Sequence, residues 1–134
     1  MRAAIALLLA SATLQVQAQP TTCPPMLAKA AVAVKAPAGW QGYSSSLMRL
    51  TGFGMMAGPP ESMTYLVPAN SKKRKDGSVT IWQFAGGGEK WLYCTYDGSA
   101  AIQISRRLDD TSTRCEVSAK TAGGVVQAAE AVCR

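Results

Sequence analysis

Four cysteines, eight carboxylates and no histidine set the chemistry open to this 134-residue chain. Without imidazole there is no Ser-His-Asp or Cys-His relay, no HExxH zinc site and no switch near neutral pH. Asp109-Asp110 is the one adjacent carboxylate pair, and Thr111 and Ser112 beside it make a solvated turn the better reading than an acid/base dyad. Glycoside cleavage needs two carboxyls across a cleft; sequence distance does not exclude Glu61 with Asp97, and nothing positive in the sequence supports that pair for a carboxylate-dependent hydrolase. Ser44-Ser45-Ser46 offers hydroxyls, but only a lysine is left to activate them. Gly86-Gly87-Gly88-Glu89-Lys90 lacks the spacing of a phosphate loop and, lying between two strand-like segments, reads as a hairpin turn. The acidic residues are scattered along the chain, so no catalytic, metal or cofactor site is expected.

The cysteines carry the firmer chemistry. Cys23, Cys94, Cys115 and Cys133 are spaced by 71, 21 and 18 with no CxxC pair, which favours two disulfides over a four-thiolate zinc site. In a simple meander the Trp91 and Arg114 strands would flank the Ala100 strand at about 9–10 Å from one another. A disulfide spans only about 7 Å between Cα atoms, which disfavours Cys94–Cys115. Cys115 and Cys133 are equidistant from Gly124, so a hairpin turning there brings them together. The working pairing is Cys23–Cys94 with Cys115–Cys133.

Positioning these residues falls to strand-like segments between turn signals, the pattern of an all-β domain. Residues 1–18 stand apart as a secretory signal peptide. Arg2 opens it, Ala3–Ala12 is an apolar run too short to span a bilayer, and Val16-Gln17-Ala18 supplies a cleavage site. Its removal leaves 116 residues with a net charge of +5, because Arg2 is the only charge lost. Residues 19–134 are then expected to form a single disulfide-stabilised antiparallel β-sandwich or barrel-like domain.

Strands are expected at Ala31–Lys35, 48–56, Met63–Val67, Val79–Phe84, Trp91–Tyr96, Ala100–Leu108 and Arg114–Ala119, with Val125–Cys133 either strand or short helix. Gly52 and Gly54 within a strand mark a bulge or a close backbone approach. Asp97-Gly98 and Gly123-Gly124 mark turns.

Two constellations remain for binding. The run Lys72, Lys73, Arg74, Lys75 reads as a solvated hairpin loop, or as a patch for an anionic partner. Export directs it towards envelope lipid, polysaccharide or an acidic protein face and away from nucleic acid. In the strand Trp91–Tyr96, Leu92, Cys94 and Tyr96 share one face and Trp91, Tyr93 and Thr95 the other. A disulfide half belongs with the core, which turns Trp91 and Tyr93 outward. With Trp40 and Tyr43 they form either an aromatic strip for sugar or protein, or a second small core under the Trp40 loop.

Cys23-Pro24, Gly39-Trp40, Gly58-Pro59-Pro60-Glu61, Leu66-Val67-Pro68, Trp82, the Trp91-Leu92-Tyr93-Cys94-Thr95-Tyr96 block, Leu108, Cys115 and Cys133-Arg134 together resemble an uncharacterised family of small exported proteobacterial proteins. The resemblance spans the chain after the signal and implies export and a disulfide-bearing β domain, with no activity attached. In general build the chain is also similar to small periplasmic β proteins that inhibit lysozymes, without a shared motif. The expectation is a periplasmic or secreted, non-enzymatic binding module engaging an envelope protein or cell-wall glycan, with no transmembrane span. Its concrete form is an inhibitor or immunity protein against a cell-wall hydrolase or toxin. The rivals are a wall or glycan hydrolase and a structural envelope protein.

Overall fold

Strand β7 (Lys90–Tyr96) alternates without a break between buried Lys90, Leu92, Cys94 and Tyr96 and half-buried Trp91, Tyr93 and Thr95. That period of two is what a strand with one face on a core requires. A computed structural model describes residues 18–28, 31–43 and 47–134. The signal-peptide segment up to Gln17 and Ser44-Ser45-Ser46 lie outside the described residues.

Two antiparallel sheets face one another. In the first the order is β1 (Thr21–Cys23), β10 (Val125–Cys133), β9 (Arg114–Ala122), β6 (Gly77–Gln83), β5 (Asn70–Arg74). In the second it is β2 (Met26–Leu27), β3 (Met48–Ala57), β7, β8 (Ser99–Arg107), with β4 (Tyr65–Leu66) also paired to β3. Of the two shapes expected, the described residues form the sandwich.

Large and small side chains interlock between the layers. Leu50, Met55, Leu92 and Tyr96 of the second sheet meet Trp82, Val117, Ala119, Ala129 and Ala131 of the first. The alanines on β9 and β10 leave room for the two rings, as close packing demands. Each ring's polar tip finds a backbone acceptor: Trp82 Nε1 donates to the Leu66 carbonyl at 3.1 Å and Tyr96 Oη to the Pro24 carbonyl at 2.8 Å.

Both expected disulfides form. Cys23–Cys94 crosses from β1 to β7 with Cα atoms 5.8 Å apart and ties the sheets together. Cys115–Cys133 joins neighbouring strands at 4.1 Å. Asp97-Gly98, with φ of 57° and 70°, and Gly123-Gly124, with 58° and 77°, make the two-residue turns anticipated for them. Val125–Cys133 is strand.

Several expectations are overturned. Ala31–Lys35 is not a strand: Ala31 closes a turn onto the Ala28 carbonyl at 2.9 Å, and Ala33, Val34 and Lys35 are exposed. Alanine and lysine bring little β preference, and Pro37 and Gly39 break the run before it reaches a sheet edge. Met63–Val67 shrinks to Tyr65–Leu66, because Met63 takes a left-handed conformation (φ 49°) and Pro68 ends the pairing.

The basic run is no loop. Lys72, Lys73 and Arg74 lie on β5, the edge of the first sheet, and Lys75 alone sits in the turn. Gly86-Gly87-Gly88 is not a hairpin either, since β6 and β7 belong to different sheets and the glycines carry the chain between layers. The simple meander fails for the same reason: β8 ends the second sheet, and β9 sits in the middle of the first.

Candidate binding face

The outer face of the second sheet is built around glycine. Gly54 pairs with Tyr93, and a Cβ on Gly54 would collide with the Tyr93 ring, so the ring lies flat on the strand. Gly52, where the β3–β7 register slips, likewise makes room for the Thr95 hydroxyl. Both readings of glycine within a strand, bulge and close approach, are realised here.

Met56 lies between Trp91 and Tyr65 in the pairing and is fully buried, although it faces away from the inter-sheet core. Tyr65 packs edge-on against Tyr93 with ring centroids 5.1 Å apart. The Tyr65 hydroxyl hydrogen-bonds to Gln103 Oε1 at 3.2 Å, and Gln103 Nε2 donates to Ser105 Oγ at 3.1 Å. Burial, and then the neighbouring Tyr65, raise the Tyr93 pKa, so that phenol holds its proton well into alkaline solution.

Charge frames the aromatic strip at one end. Arg107, the cross-strand partner of Trp91, pairs with Glu89 at 2.9 Å and with Asp110 at 2.7 Å. Glu89 also accepts a hydrogen bond from Trp91 Nε1 at 3.4 Å. Such exposed pairs add little stability but fix the Trp91 and Arg107 side chains in one arrangement. Asp109 accepts from the Thr111 backbone N–H at 2.8 Å and its hydroxyl at 2.7 Å; these bonds, with the Lys90 ammonium, hold its pKa below the ordinary carboxylate range.

Next to this face rises a turn with apolar tips. Gly58 (φ 91°), a 3-10 turn at Pro60–Ser62 and left-handed Met63 reverse the chain. Ser62 Oγ donates to the Pro59 carbonyl at 2.8 Å, Met63 N–H to Pro60 at 3.1 Å, and Gly58 N–H to Glu89 at 3.1 Å. On this braced frame Met63, Tyr65 and Val67 are 67%, 44% and 88% exposed. A groove of about 530 Å³ opens beside them, lined by Leu66, Val67, Trp82, Phe84 and the glycine crossover. At its end Lys90 is buried, its ammonium donating to the carbonyls of Gly88 (3.0 Å) and Asp110 (2.7 Å) and lying 5.2 Å from the centre of the Phe84 ring.

Of the residues singled out from sequence, the structure brings Trp91 and Tyr93 together. It leaves Trp40 and Tyr43 76% exposed on the segment before β3, and the ring stacked on the strip is Tyr65. Lys72, Lys73 and Arg74 lie on the other sheet, and Lys75 in the turn that follows them. Met56, Arg107 and Glu89 were missed as members of the face. The alternation of Gly52, Gly54 and Met56 was the signal available for the first of them.

The carboxylate pair considered for hydrolysis is separated. Asp97 accepts from the Arg49 backbone N–H at the start of β3, and Glu61 follows the end of that strand at Ala57. The eight steps from Arg49 to Ala57 place them at opposite ends of a stretch of strand roughly 25 Å long, whereas glycosidase carboxyls stand within about 10 Å. What the outer face presents is a rigid, partly apolar recognition surface whose carboxylates Glu89 and Asp110 are engaged by Arg107. Among the described residues no helix is long and apolar enough to cross a membrane.

Neither a curated protein nor a solved structure matches the chain. A family model, the type VI secretion system Tli immunity protein, matches residues 44–134. That span holds both sheets apart from β1 and β2 and includes the whole aromatic face. The family recognised from sequence as lacking an assigned activity is thus a defined one, and immunity implies a toxin as binding partner. The chain belongs to the type VI secretion system Tli immunity protein family.

Proposed function

We propose that this immunity protein works outside the cytoplasm as a stoichiometric, non-catalytic inhibitor, and that it holds its toxin through the outer face of the second sheet and the adjoining turn. The observation that carries the reading is the set of apolar side chains Met63, Tyr65 and Val67, exposed along the end of a hydrogen-bonded turn and the short strand β4 that follows it. Monomeric proteins seldom leave such groups clustered at the surface without a partner, and a preformed turn loses little entropy on docking. Two disulfides support an oxidising compartment, and with it the cleaved signal at residues 1–18 and a mature domain from residue 19.

The test is survival of cells making the full chain when challenged by a type VI attacker that delivers the toxin. Native protein should protect. The double variant Tyr65→Ala, Val67→Asp should lose protection by at least about tenfold, as loss of interface anchors does, while the purified variant still unfolds cooperatively, less stable by about 1 kcal/mol for the lost Tyr65–Tyr93 contact. Equal protection by a folded variant sinks this choice of face.

A further inference from the structure

Strand β5 (Asn70–Arg74) is an open edge of the first sheet, and all five of its residues are exposed. It carries Lys72, Lys73 and Arg74, and Lys75 follows in the turn. Pairing fixes where the charges point. Lys72 and Arg74 lie opposite Val79 and Gly77, and Gly77 in turn pairs with Lys120 of β9. Lys72, Arg74 and Lys120 thus share the outer face of this corner, with Lys73 on the opposite face and Asp76 in the turn. Further in on the same outer face, Glu116 of β9 is taken up by Arg114, and Glu130 lies on β10, three strands from the edge. Arg107 and Arg114 are ion-paired with carboxylates, whereas none of these five cations makes such a pair among the described residues.

Lysine on an edge strand guards against aggregation, and one inward or edge charge suffices for that. Cations on both faces, in the turn and on the next strand but one repel each other and concentrate a positive field on unpaired backbone groups. The edge is also continuous with the surface proposed above, since Val67-Pro68-Ala69 leads directly from β4 into β5.

We infer that β5 receives an acidic, extended segment of the toxin as an added strand. Backbone hydrogen bonds along Asn70–Arg74 would supply the pairing. Lys72, Arg74 and Lys120 would select carboxylates at alternate positions, the spacing that places side chains on one face. This rests on the immunity reading and names the chemistry of the partner.

The experiment uses the full mature chain and three probes: a hexapeptide alternating glutamate and valine, the same peptide with glutamine for glutamate, and phosphatidylglycerol vesicles. At low salt the acidic peptide should bind and slow amide exchange across Asn70–Arg74. The variant K72E/R74E should bind it at least about tenfold more weakly, Lys35→Glu should not, and added salt should erase the difference. Absence of peptide binding, equal binding of the glutamine peptide, protection elsewhere, or binding to vesicles alone would each overturn the proposal. In cells, K72E/R74E that protects like native protein while the Tyr65→Ala, Val67→Asp variant does not removes only this inference. Native protein that fails to protect removes the immunity reading itself.

Discussion

Cys115 and Cys133 face one another across β9 and β10, Cα atoms 4.1 Å apart, because Val125–Cys133 of β10 holds one residue more than the Cys115–Ala122 stretch of β9 it pairs with. The Gly123-Gly124 turn pairs Ala122 with Val125, and that register, continued unbroken, would set Cys115 against Val132. The slip between Val126 and Ala128 leaves Gln127 bulged out, advances β10 by one and delivers Cys133. The same slip keeps Val126, Ala129 and Ala131 all on the core side.

Deleting Gln127 removes the bulge but keeps the later register, so both disulfides should survive and stability should change by less than about 1 kcal/mol. Inserting one alanine between Ala129 and Glu130 pushes Cys133 beyond its partner. Thiol titration should then find two free groups, with a loss of about 2–4 kcal/mol. Two free thiols in the deletion variant and none in the insertion variant would contradict this account of the bulge.

The two bonds should differ in worth. Cys23–Cys94 closes a separation of 71 residues and Cys115–Cys133 one of 18. On loop-closure grounds, replacing the first pair by alanine should cost about 4 kcal/mol and the second about 3 kcal/mol. The first replacement also frees β1 from β7. Urea unfolding of the two double variants measures the order, and a larger loss for the shorter loop would count against it.

Gly54→Ala drives a methyl group into the Tyr93 ring and should cost roughly 1–3 kcal/mol, with Met56 exposed as the ring lifts. Gly87→Ala meets nothing within 4 Å and should stay within about 0.5 kcal/mol of native. Urea midpoints decide between them, and equal midpoints would mean that Tyr93 does not lie across β3.

Asp109 should titrate below an ordinary aspartate, because its carboxylate accepts two bonds from Thr111 and faces the Lys90 ammonium. A depressed folded value means that its contribution is present above the unfolded pKa and is lost as pH falls through the folded one. Carboxyl NMR should show this low value, and Thr111→Val should raise it. A normal titration in the native chain would remove the proposed bonds.

What the sequence made legible was local. Asp97-Gly98 and Gly123-Gly124 specify their turns through left-handed backbone, which needs no knowledge of the rest of the fold. The outward set of Trp91 and Tyr93 followed from strand alternation plus the inward Cys94. Gly86-Gly87-Gly88 was misread because glycines permit a hairpin and a layer crossover equally, and only the pairing of β6 with β9 decides. The basic run was misread because lysine alone disfavours strand, while five ladder pairs to β6 hold Asn70–Arg74 in one. Lys90 looked like part of the glycine turn, yet its place in the alternation of β7 points it inward, where two carbonyls receive it. Tyr65 and Arg107 joined the face through partners on other strands, a long-range relation that spacing does not encode.

Side-chain footprinting of the purified chain with and without its toxin tests the central claim most directly. Hydroxyl radicals label exposed Met63 and Tyr65 and half-buried Trp91 in the free protein. In a one-to-one complex those three should be protected while Trp40 continues to react. Protection confined to Trp40 and Tyr43, or loss of toxin activity at immunity protein far below one equivalent, would contradict a stoichiometric inhibitor that binds through the outer face of the second sheet.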